Sequence, residues 1–230
     1  MTAGYSVRAA TPEDLDDIVD VVLVAMPHDP QWNYRFVYKD KFPGDHRKYT
    51  RLLYQNFISP TNDDWHVSLA ETSGSQTPRK VVGFAVWDLS YANKDQKGPD
   101  YEPQNPMAMT AQMGGSTRRD VAPQRQAAFR AAGAYEKQHF FDNVYGSDQI
   151  HLQILGVHPD HWRRKIGSQL VGWGMDEARQ HKVPLTLMAG STGQHLYSNL
   201  GFRSLGTSIT QAPGEEEMVD AVAMVYEPQT

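Results

Sequence analysis

The chain has 230 residues and a formal net charge of −5; 40% of its residues are hydrophobic and 21% are charged. This length and composition are typical of one folded domain or a tight pair of domains, and they exclude a disordered chain. The absence of cysteine excludes disulfides, thiolate metal sites and cysteine nucleophiles, and the negative charge argues against general nucleic-acid binding, which needs a basic face. No apolar run reaches the roughly 18 to 20 residues that cross a bilayer, and the first residues lack the apolar segment of a secretory signal, so we expect a cytoplasmic protein that does not associate with membranes.

Short strands and amphipathic helices are predicted to alternate in the first part of the chain. Residues 5–10 form a candidate strand, and the sequence TPED at 11–14 combines an N-cap threonine, a proline and an acid at the spacing of a helix start. The helix that follows has an apolar stripe at helical spacing: Leu15, Ile18, Val19, Val22 and Met26. A second amphipathic segment covers 49–57. The strands predicted at 65–71 and 80–89 are expected to pair antiparallel across the linker SGSQTP.

Residues 90–123 form a polar segment with many prolines and glycines. A loop of this length is typical either of a mobile surface insertion or of a flap that covers a substrate, and both interpretations stay open here. Residues 124–143 are predicted to form a helix. We therefore interpret 1–230 as a single domain with an inserted loop and helix at about 90–145.

The last third of the chain is predicted to alternate strands and helices in a β-α-β order. A short helix in this region is expected to stop at Gly201, which is a good C-terminal cap. The predicted elements are a strand at 149–157, a helix at 166–181, a strand at 184–188, a helix at 194–199, and strands near 202–209 and 219–226.

Between the strand at 149–157 and the helix after it lies the stretch LGVHPDHWRRKIGSQL, residues 155–170. A helix start exposes unpaired N–H groups and the positive end of the helix dipole, and three cations stand directly before this one. Gly167 has no Cβ, so an oxygen-rich group can approach the backbone, and the amides of 163–168 can surround it. A phosphate fits better than a carboxylate because it accepts from many donors. A solvated basic turn is the alternative. The three cations are Arg163, Arg164 and Lys165.

Neither the Walker A pattern nor the dinucleotide G-x-G-x-x-G is present here. The residues instead resemble the GNAT (GCN-related N-acetyltransferase) superfamily. The stretch WRRKIG at 162–167 lies in register with its Q/R-x-x-G-x-G/A motif, and HLYSNLGFRSLG at 195–206 is similar to its L-Y-x-x-L-G-F signature. Trp162 replaces the first motif residue and Lys165 the first motif glycine, whereas Gly167 is retained. The resemblance implies an α/β fold with a mixed, centrally splayed β-sheet flanked by helices.

The resemblance also implies an acyltransferase that uses acetyl-coenzyme A as its co-substrate. The diphosphate is then expected at 163–168, and pantetheine is expected to lie like an added strand along 155–157, with amides near Leu155 and Gly156 facing the thioester carbonyl. The residues assigned to the cofactor in this way are Leu155, Gly156, Val157, Arg163, Arg164, Lys165, Ile166, Gly167 and Ser168.

Acetyl transfer to an amine needs a base and an acid. By resemblance Tyr197 is the candidate acid, unless it only packs at a helix end. Strand alternation sends His151 and Gln153 to the face of Leu155, and His151 is the candidate base because its ordinary pKa is about 6.5. This strand is similar to that of the serotonin N-acetyltransferase family, in which two histidines occur and His151 matches the first. The alternatives are a packing role for His151, a water chain, or an acid of the flap, Asp100 or Glu102.

For the acceptor we predict a small-molecule amine, bound by aromatic residues that follow the first helix and by Gln153. Hydroxyl acceptors and peptide or protein amines remain open, and packing explains the same aromatics. Neither a metal at His158 and His161 nor a nucleic-acid partner is expected, and the protein is expected to be a monomer or a homodimer. The aromatic residues in question are Trp32, Tyr34 and Phe36.

Two other classes of function were considered. The stretch AGSTG at 189–193 approaches the G-x-S-x-G elbow of serine hydrolases, with Ser191 as nucleophile. However, Ala189 replaces the first glycine, and the usual order of serine, acid and histidine is not available, because the only later histidine, His195, precedes Asp220. A catalytically silent acyl-coenzyme A binding domain is the other alternative.

Overall fold

A computed structural model describes residues 4–73, 79–98 and 100–229, and a seven-stranded sheet with the order β1-β2-β3-β4-β5-β7-β6 forms its centre. Strands β4 and β5 are parallel, and the other neighbouring pairs are antiparallel. The strands are β1 Gly4–Ala9, β2 Trp65–Ser73, β3 Val81–Asp88, β4 Ile150–Val157, β5 Leu185–Ala189, β6 Arg203–Gln211 and β7 Met218–Tyr226.

Nine α-helices lie within the described residues, and short 3₁₀ turns precede or follow several of them. None of these helices combines the length and the apolar character needed to span a bilayer. The helices are α1 Leu15–Ala25, α2 Pro30–Arg35, α3 Pro43–Phe57, α4 Ser90–Lys97, α5 Pro106–Gln112, α6 Pro123–Glu136, α7 Asn143–Tyr145, α8 Ile166–His181 and α9 Gln194–Asn199, and a π-helical segment, Lys137–Asp142, joins α6 to α7.

Two hydrophobic clusters cover opposite faces of the sheet. Along β3 successive side chains alternate between them, since Phe84 and Val86 belong to the cluster under α1 and α3, whereas Ala85 and Trp87 belong to the cluster under α8. Both clusters consist of buried aliphatic and aromatic residues, so the sheet is held between two helical layers.

The sheet opens between β4 and β5. These strands pair only over residues 150–152 with 185–187, so among the described residues the part of β4 from 153 to 157 has a strand neighbour on the β3 side alone. A bulge at Gln153, where the register with β3 shifts, coincides with the point of separation. The expected α/β fold with a centrally splayed mixed sheet is confirmed.

Several predicted elements agree with the structure and one region does not. Strands β2 and β3 pair antiparallel as predicted, although residues 74–78 of the linker between them lie outside the described residues. The prediction that 90–123 is a loop was wrong, because this segment contains α4 and α5. Asn105 accepts hydrogen bonds from the amides of Met107 and Ala108 and thereby caps α5. That the chain is a single domain with an insertion at about 90–145 stays a prediction.

Candidate active site

The gap between β4 and β5 continues into a cavity of about 1680 Å³. It extends from the turn after β4, past the open edge of that strand, to residues of α2 and α6. Sites for one small ligand usually occupy about 300–1,000 Å³, so this cavity has room for two ligands side by side.

On the edge of β4 that faces the gap, the amides beyond residue 152 have no strand partner among the described residues. The amide of His158 donates to the carbonyl of Val82 on β3, and successive amides of a strand point to opposite edges. The amides of Leu155 and Val157 therefore point into the gap, whereas that of Gly156 points toward β3. A Cβ at Gly156 would lie 2.5 Å from the ring of Phe84, so close packing requires the glycine here.

The turn that follows β4 has an unusual backbone. Arg163 and Lys165 have φ angles of 61° and 62°, in the left-handed region that favours glycine. Lys165 thus adopts the conformation expected of the motif glycine that it replaces. The indole N–H of Trp162 donates to the carbonyl of Val157 at 2.7 Å and fixes the turn against the end of β4. Helix α8 begins at Ile166, so the amides of its first turn have no intrahelical acceptor.

The side chains of the three cations in this turn do not all lie at the cavity. All are exposed, and within the described residues none has a carboxylate within 4.0 Å. Arg163 and Lys165 line the cavity, together with Ile166, Gly167 and Ser168. Arg164 instead donates to the hydroxyl of Tyr5 at 3.2 Å, on the opposite side of the turn. The structure therefore brings two of the three predicted cations to the cavity.

Tyr197 lies in α9 with only 6% of its surface exposed, and it lines the cavity. Its ring packs on Gly193, where a Cβ would come within 2.8 Å of it, and lies 5.6 Å from the ring of Phe202. Its hydroxyl makes no hydrogen bond to the described residues. Burial, and to a smaller extent the nearby Asp29, raises the pKa of Tyr197, so this hydroxyl is protonated at neutral pH.

His151 lies on the cavity side of β4, at the end of a chain of hydrogen bonds. Its Nδ1 is 2.9 Å from the hydroxyl of Thr186 on β5, and that hydroxyl is 2.8 Å from Oε1 of Gln149. The side-chain nitrogen of Gln149 donates to Asp142 and to the carbonyl of Gly146, at 3.1 and 2.7 Å. Both partners of that nitrogen are pure acceptors, so the orientation of the Gln149 amide is fixed.

This chain determines the tautomer of His151. Because Oε1 of Gln149 can only accept, the single proton of the Thr186 hydroxyl points toward it. The hydroxyl oxygen then accepts from His151, so Nδ1 carries the proton and Nε2 is left as an acceptor without a partner among the described residues. Burial, and less strongly the charge of Lys137, lowers the pKa of His151 to about 4. The ring is therefore neutral at pH 7.

The predicted acceptor residues divide into two groups. Trp32, Phe36 and Gln153 line the cavity. Tyr34 does not, because its hydroxyl accepts from the amide of Ala212 at 2.7 Å and anchors α2 against the segment after β6. The alternative bases of the polar segment, Asp100 and Glu102, do not line the cavity either, nor does the exposed Ser191.

Four residues that line the cavity or hold a lining side chain in place were not predicted from the sequence: Asp29, Arg35, Gln149 and Thr186. No helix was predicted at the Asp29-Pro30 pair, yet Asp29 caps α2 by accepting from the amide of Gln31 at 2.9 Å. An Asp-Pro pair is also a helix-start signal, so this element could have been predicted. Burial raises the pKa of Asp29, and the nearby charge of Arg35 opposes that effect.

Comparison with known proteins agrees with this geometry. A sequence model of the acetyltransferase (GNAT) domain matches residues 127–204, which include β4, the turn, α8 and α9. A protein named acetyltransferase from Stachybotrys chartarum is 21% identical over 224 residues, which are 96% of this chain and 90% of that protein.

Two solved structures have the same fold. One, from Corynebacterium glutamicum, is described as histone acetyltransferase HPA2 and related acetyltransferase; it has 18% identity and a TM-score of 0.56, over 98% of this chain and 97% of that one. The other is the PaiA N-acetyltransferase of Thermoplasma acidophilum in complex with coenzyme A, with 14% identity and a TM-score of 0.52, over 97% and 99%. The chain thus has the fold of these acetyltransferases, and its residues 127–204 match the model of the acetyltransferase (GNAT) domain.

Proposed function

We propose that the protein transfers the acetyl group of acetyl-coenzyme A to a small-molecule amine, by direct attack within a ternary complex. One observation carries this proposal: a single cavity joins the cationic turn at 163–168, the open edge of β4, and the side chains of Tyr197 and His151. The coenzyme A bound to the PaiA N-acetyltransferase of the same fold supports the choice of donor.

The donor is bound by groups that lack protein partners. Arg163, Lys165 and the first amides of α8 hold the diphosphate, because charge and free N–H donors converge there. The open edge of β4 takes the pantetheine arm as an added strand. The amide of Leu155 then faces the thioester carbonyl, and a positioned donor of this kind lowers the barrier by about 2.7 to 4 kcal/mol.

Two side chains move the protons. Nε2 of His151 takes a proton from the attacking nitrogen as the N–C bond forms, when the positive charge on that nitrogen makes it far more acidic than a free ammonium. A base with a pKa of about 4 can accept a proton at that stage. Tyr197 gives its proton to the departing sulfur, and its raised pKa keeps it in the protonated form that this step needs.

A thiol-release assay with acetyl-coenzyme A tests the proposal against a mixed panel of amines, alcohols and short peptides. We expect release with small amines, and we expect Tyr197→Phe to lower kcat by about 100-fold or more while KM for acetyl-coenzyme A changes little. An unchanged kcat and pH profile in Tyr197→Phe would reject the acid role. Thiol release with alcohols or peptides alone would show that the acceptor is not a small-molecule amine. No thiol release with any member of the panel would favour a catalytically silent acyl-coenzyme A binding domain.

A further inference from the structure

Arg35, at the end of α2, is a half-buried cation in the wall of the cavity. Its guanidinium carbon lies 4.0 Å from the ring centre of Phe129, 5.0 Å from that of Phe36 and 5.6 Å from that of Trp32. Desolvation lowers the pKa of Arg35 to about 10, so the side chain is still charged at neutral pH. The three rings hold the charge in place but cannot neutralise it.

Within the described residues Arg35 has no ion pair. Its Nε donates to the carbonyl of Gln31, one turn back along α2, and its two terminal nitrogens have no partner. The neighbouring Arg118 is a useful contrast, because it lies 4.8 Å from the same Phe36 ring yet forms a two-pronged pair with Asp120 at 2.7 and 2.6 Å. A half-buried charge that three aromatic rings surround and that forms no ion pair favours an anionic partner, so Arg35 points to a ligand.

Among the described residues, two further buried donors close to Arg35 lack acceptors. The indole N–H of Trp32 and the hydroxyl of Tyr54 are both enclosed and without a hydrogen-bond partner, and both residues contribute to the cavity wall. Tyr54 is close enough for its ionisation to be coupled to the charge of Arg35. Buried donors of this kind normally have acceptors. Unpaired hydrogen-bond donors and an unpaired positive charge therefore occur in the same part of the cavity wall.

The same helix connects Arg35 to the reaction centre. The side chain of Arg35 runs back along α2 toward Asp29 at the other end of this short helix. The carboxylate of Asp29 packs on the loop before α9, where a Cβ at Gly190 would lie 3.2 Å from its Oδ1, and it influences the ionisation of Tyr197. A positive and an acidic group, at opposite ends of α2, thus both line the acceptor part of the cavity.

We infer that the acceptor amine carries a carboxylate, which Arg35 binds through its two free terminal nitrogens while the amine lies near Asp29 and Tyr197. The substrate class is therefore an amino carboxylate rather than a simple amine. A carboxylate matches the planar fork of a single guanidinium, and the two terminal nitrogens of Arg35 have no partner among the described residues. This inference rests on the proposed function, since it assigns the acceptor of that reaction.

Binding of product analogues tests the inference without depending on turnover. Isothermal titration in saturating coenzyme A compares N-acetyl amino acids with their carboxamides, which differ in charge but hardly in size. The panel includes N-acetylphenylalanine and its amide, small side chains, and longer spacings between nitrogen and carboxyl group. We expect the best acid to bind at least about tenfold more tightly than its amide.

Substitutions of Arg35 test whether its positive charge, rather than the aromatic rings around it, recognises the carboxylate. Arg35→Met keeps the length of the side chain and is expected to abolish the preference for the acid, whereas Arg35→Lys keeps part of it. Arg47→Gln, an exposed arginine on α3, serves as the matched control and should leave the preference unchanged. Equal affinity of acids and amides, no binding of any panel member, or a preference that persists in Arg35→Met would overturn the inference.

The measurements distinguish a failure of the inference about Arg35 from a failure of the proposed acetyl transfer. If coenzyme A itself gives no heat of binding, the proposed function fails, whatever the panel shows. If coenzyme A binds and amines are acetylated equally well with and without a carboxylate, the function stands and only the inference about Arg35 is overturned.

Discussion

At the scale of single residues, the hydroxyl of Thr186 fixes the proton of the candidate base on the nitrogen that faces away from the cavity. It does so because Gln149 forces that hydroxyl to donate, which leaves its oxygen to accept from Nδ1 of His151. Without the hydroxyl, the proton of a neutral imidazole can move to Nε2, and a ring protonated there cannot accept the proton of the amine. Thr186 is therefore a positioning residue.

Thr186→Val keeps the shape of this side chain and removes the hydroxyl. We expect kcat to fall by about tenfold or more with little change in KM for acetyl-coenzyme A, since the loss concerns the base and not the donor site. Steady-state kinetics with Thr186→Ser provides the control, because serine restores the hydroxyl and should restore most of kcat. Equal losses in the valine and serine variants would show that packing, not the hydrogen bond, is responsible.

The site residues differ in how far the sequence could predict them. Tyr197 belongs to a local signature and could be named from it. The alternation that predicted His151 on the face of Leu155 was wrong, because the bulge at Gln153 inverts it: Leu155 packs in the same cluster as Ile150 and Leu152, on the face opposite to His151. Thr186 acts only because β5 pairs with β4 at residues 150–152, and Arg35 only because α6 brings Phe129 over it. Contacts between residues so distant in sequence have no local pattern from which to be predicted.

At the scale of elements, the central feature is that β4 keeps its pairing with β3 while it separates from β5. Gly156 allows this pairing to be close, because the Phe84 ring occupies the place of a Cβ. The position of the free edge, and with it the amide of Leu155, thus depends on how β4 packs against β3.

Gly156→Ala should therefore be destabilising, by about 1 to 3 kcal/mol, as is usual for an added methyl group in a fully packed site. The matched control is Gly172→Ala within α8, where a Cβ would meet nothing within 4 Å and where alanine should add about 0.5 to 1 kcal/mol to the stability. Urea denaturation of both variants measures the difference. A Gly156→Ala variant as stable as the wild type would contradict the packing argument.

Elements with strong periodicity could be predicted, and those that depend on caps could not. The apolar stripe of α1 is visible in the sequence because the helix buries one regular face. Strands β2 and β3 are visible as short apolar runs, because both faces of these central strands are buried. Helices α4 and α5 are only eight and seven residues long, so no extended apolar stripe marks them. Only the capping pair Asn105-Pro106 indicates α5, and it stands in a segment whose prolines are otherwise typical of loops.

At the scale of the whole molecule, one cavity has a positive group at each end in a chain whose net charge is −5. Arg163 and Lys165 stand at the end formed by the turn, and Arg35 at the end formed by α2. Since none of these cations has a carboxylate within ion-pair distance among the described residues, each end fits an anionic part of a different ligand. The splayed sheet places the reacting groups between them.

The central claim is that the turn between β4 and α8 binds the diphosphate of coenzyme A, and isothermal titration with coenzyme A tests it most directly. We predict that the wild-type protein binds, that Arg163→Gln combined with Lys165→Gln raises Kd by about tenfold or more, and that Arg164→Gln, whose side chain points to Tyr5, has a smaller effect. No heat of binding with the wild-type protein, or an unchanged Kd in the double variant, would contradict the account.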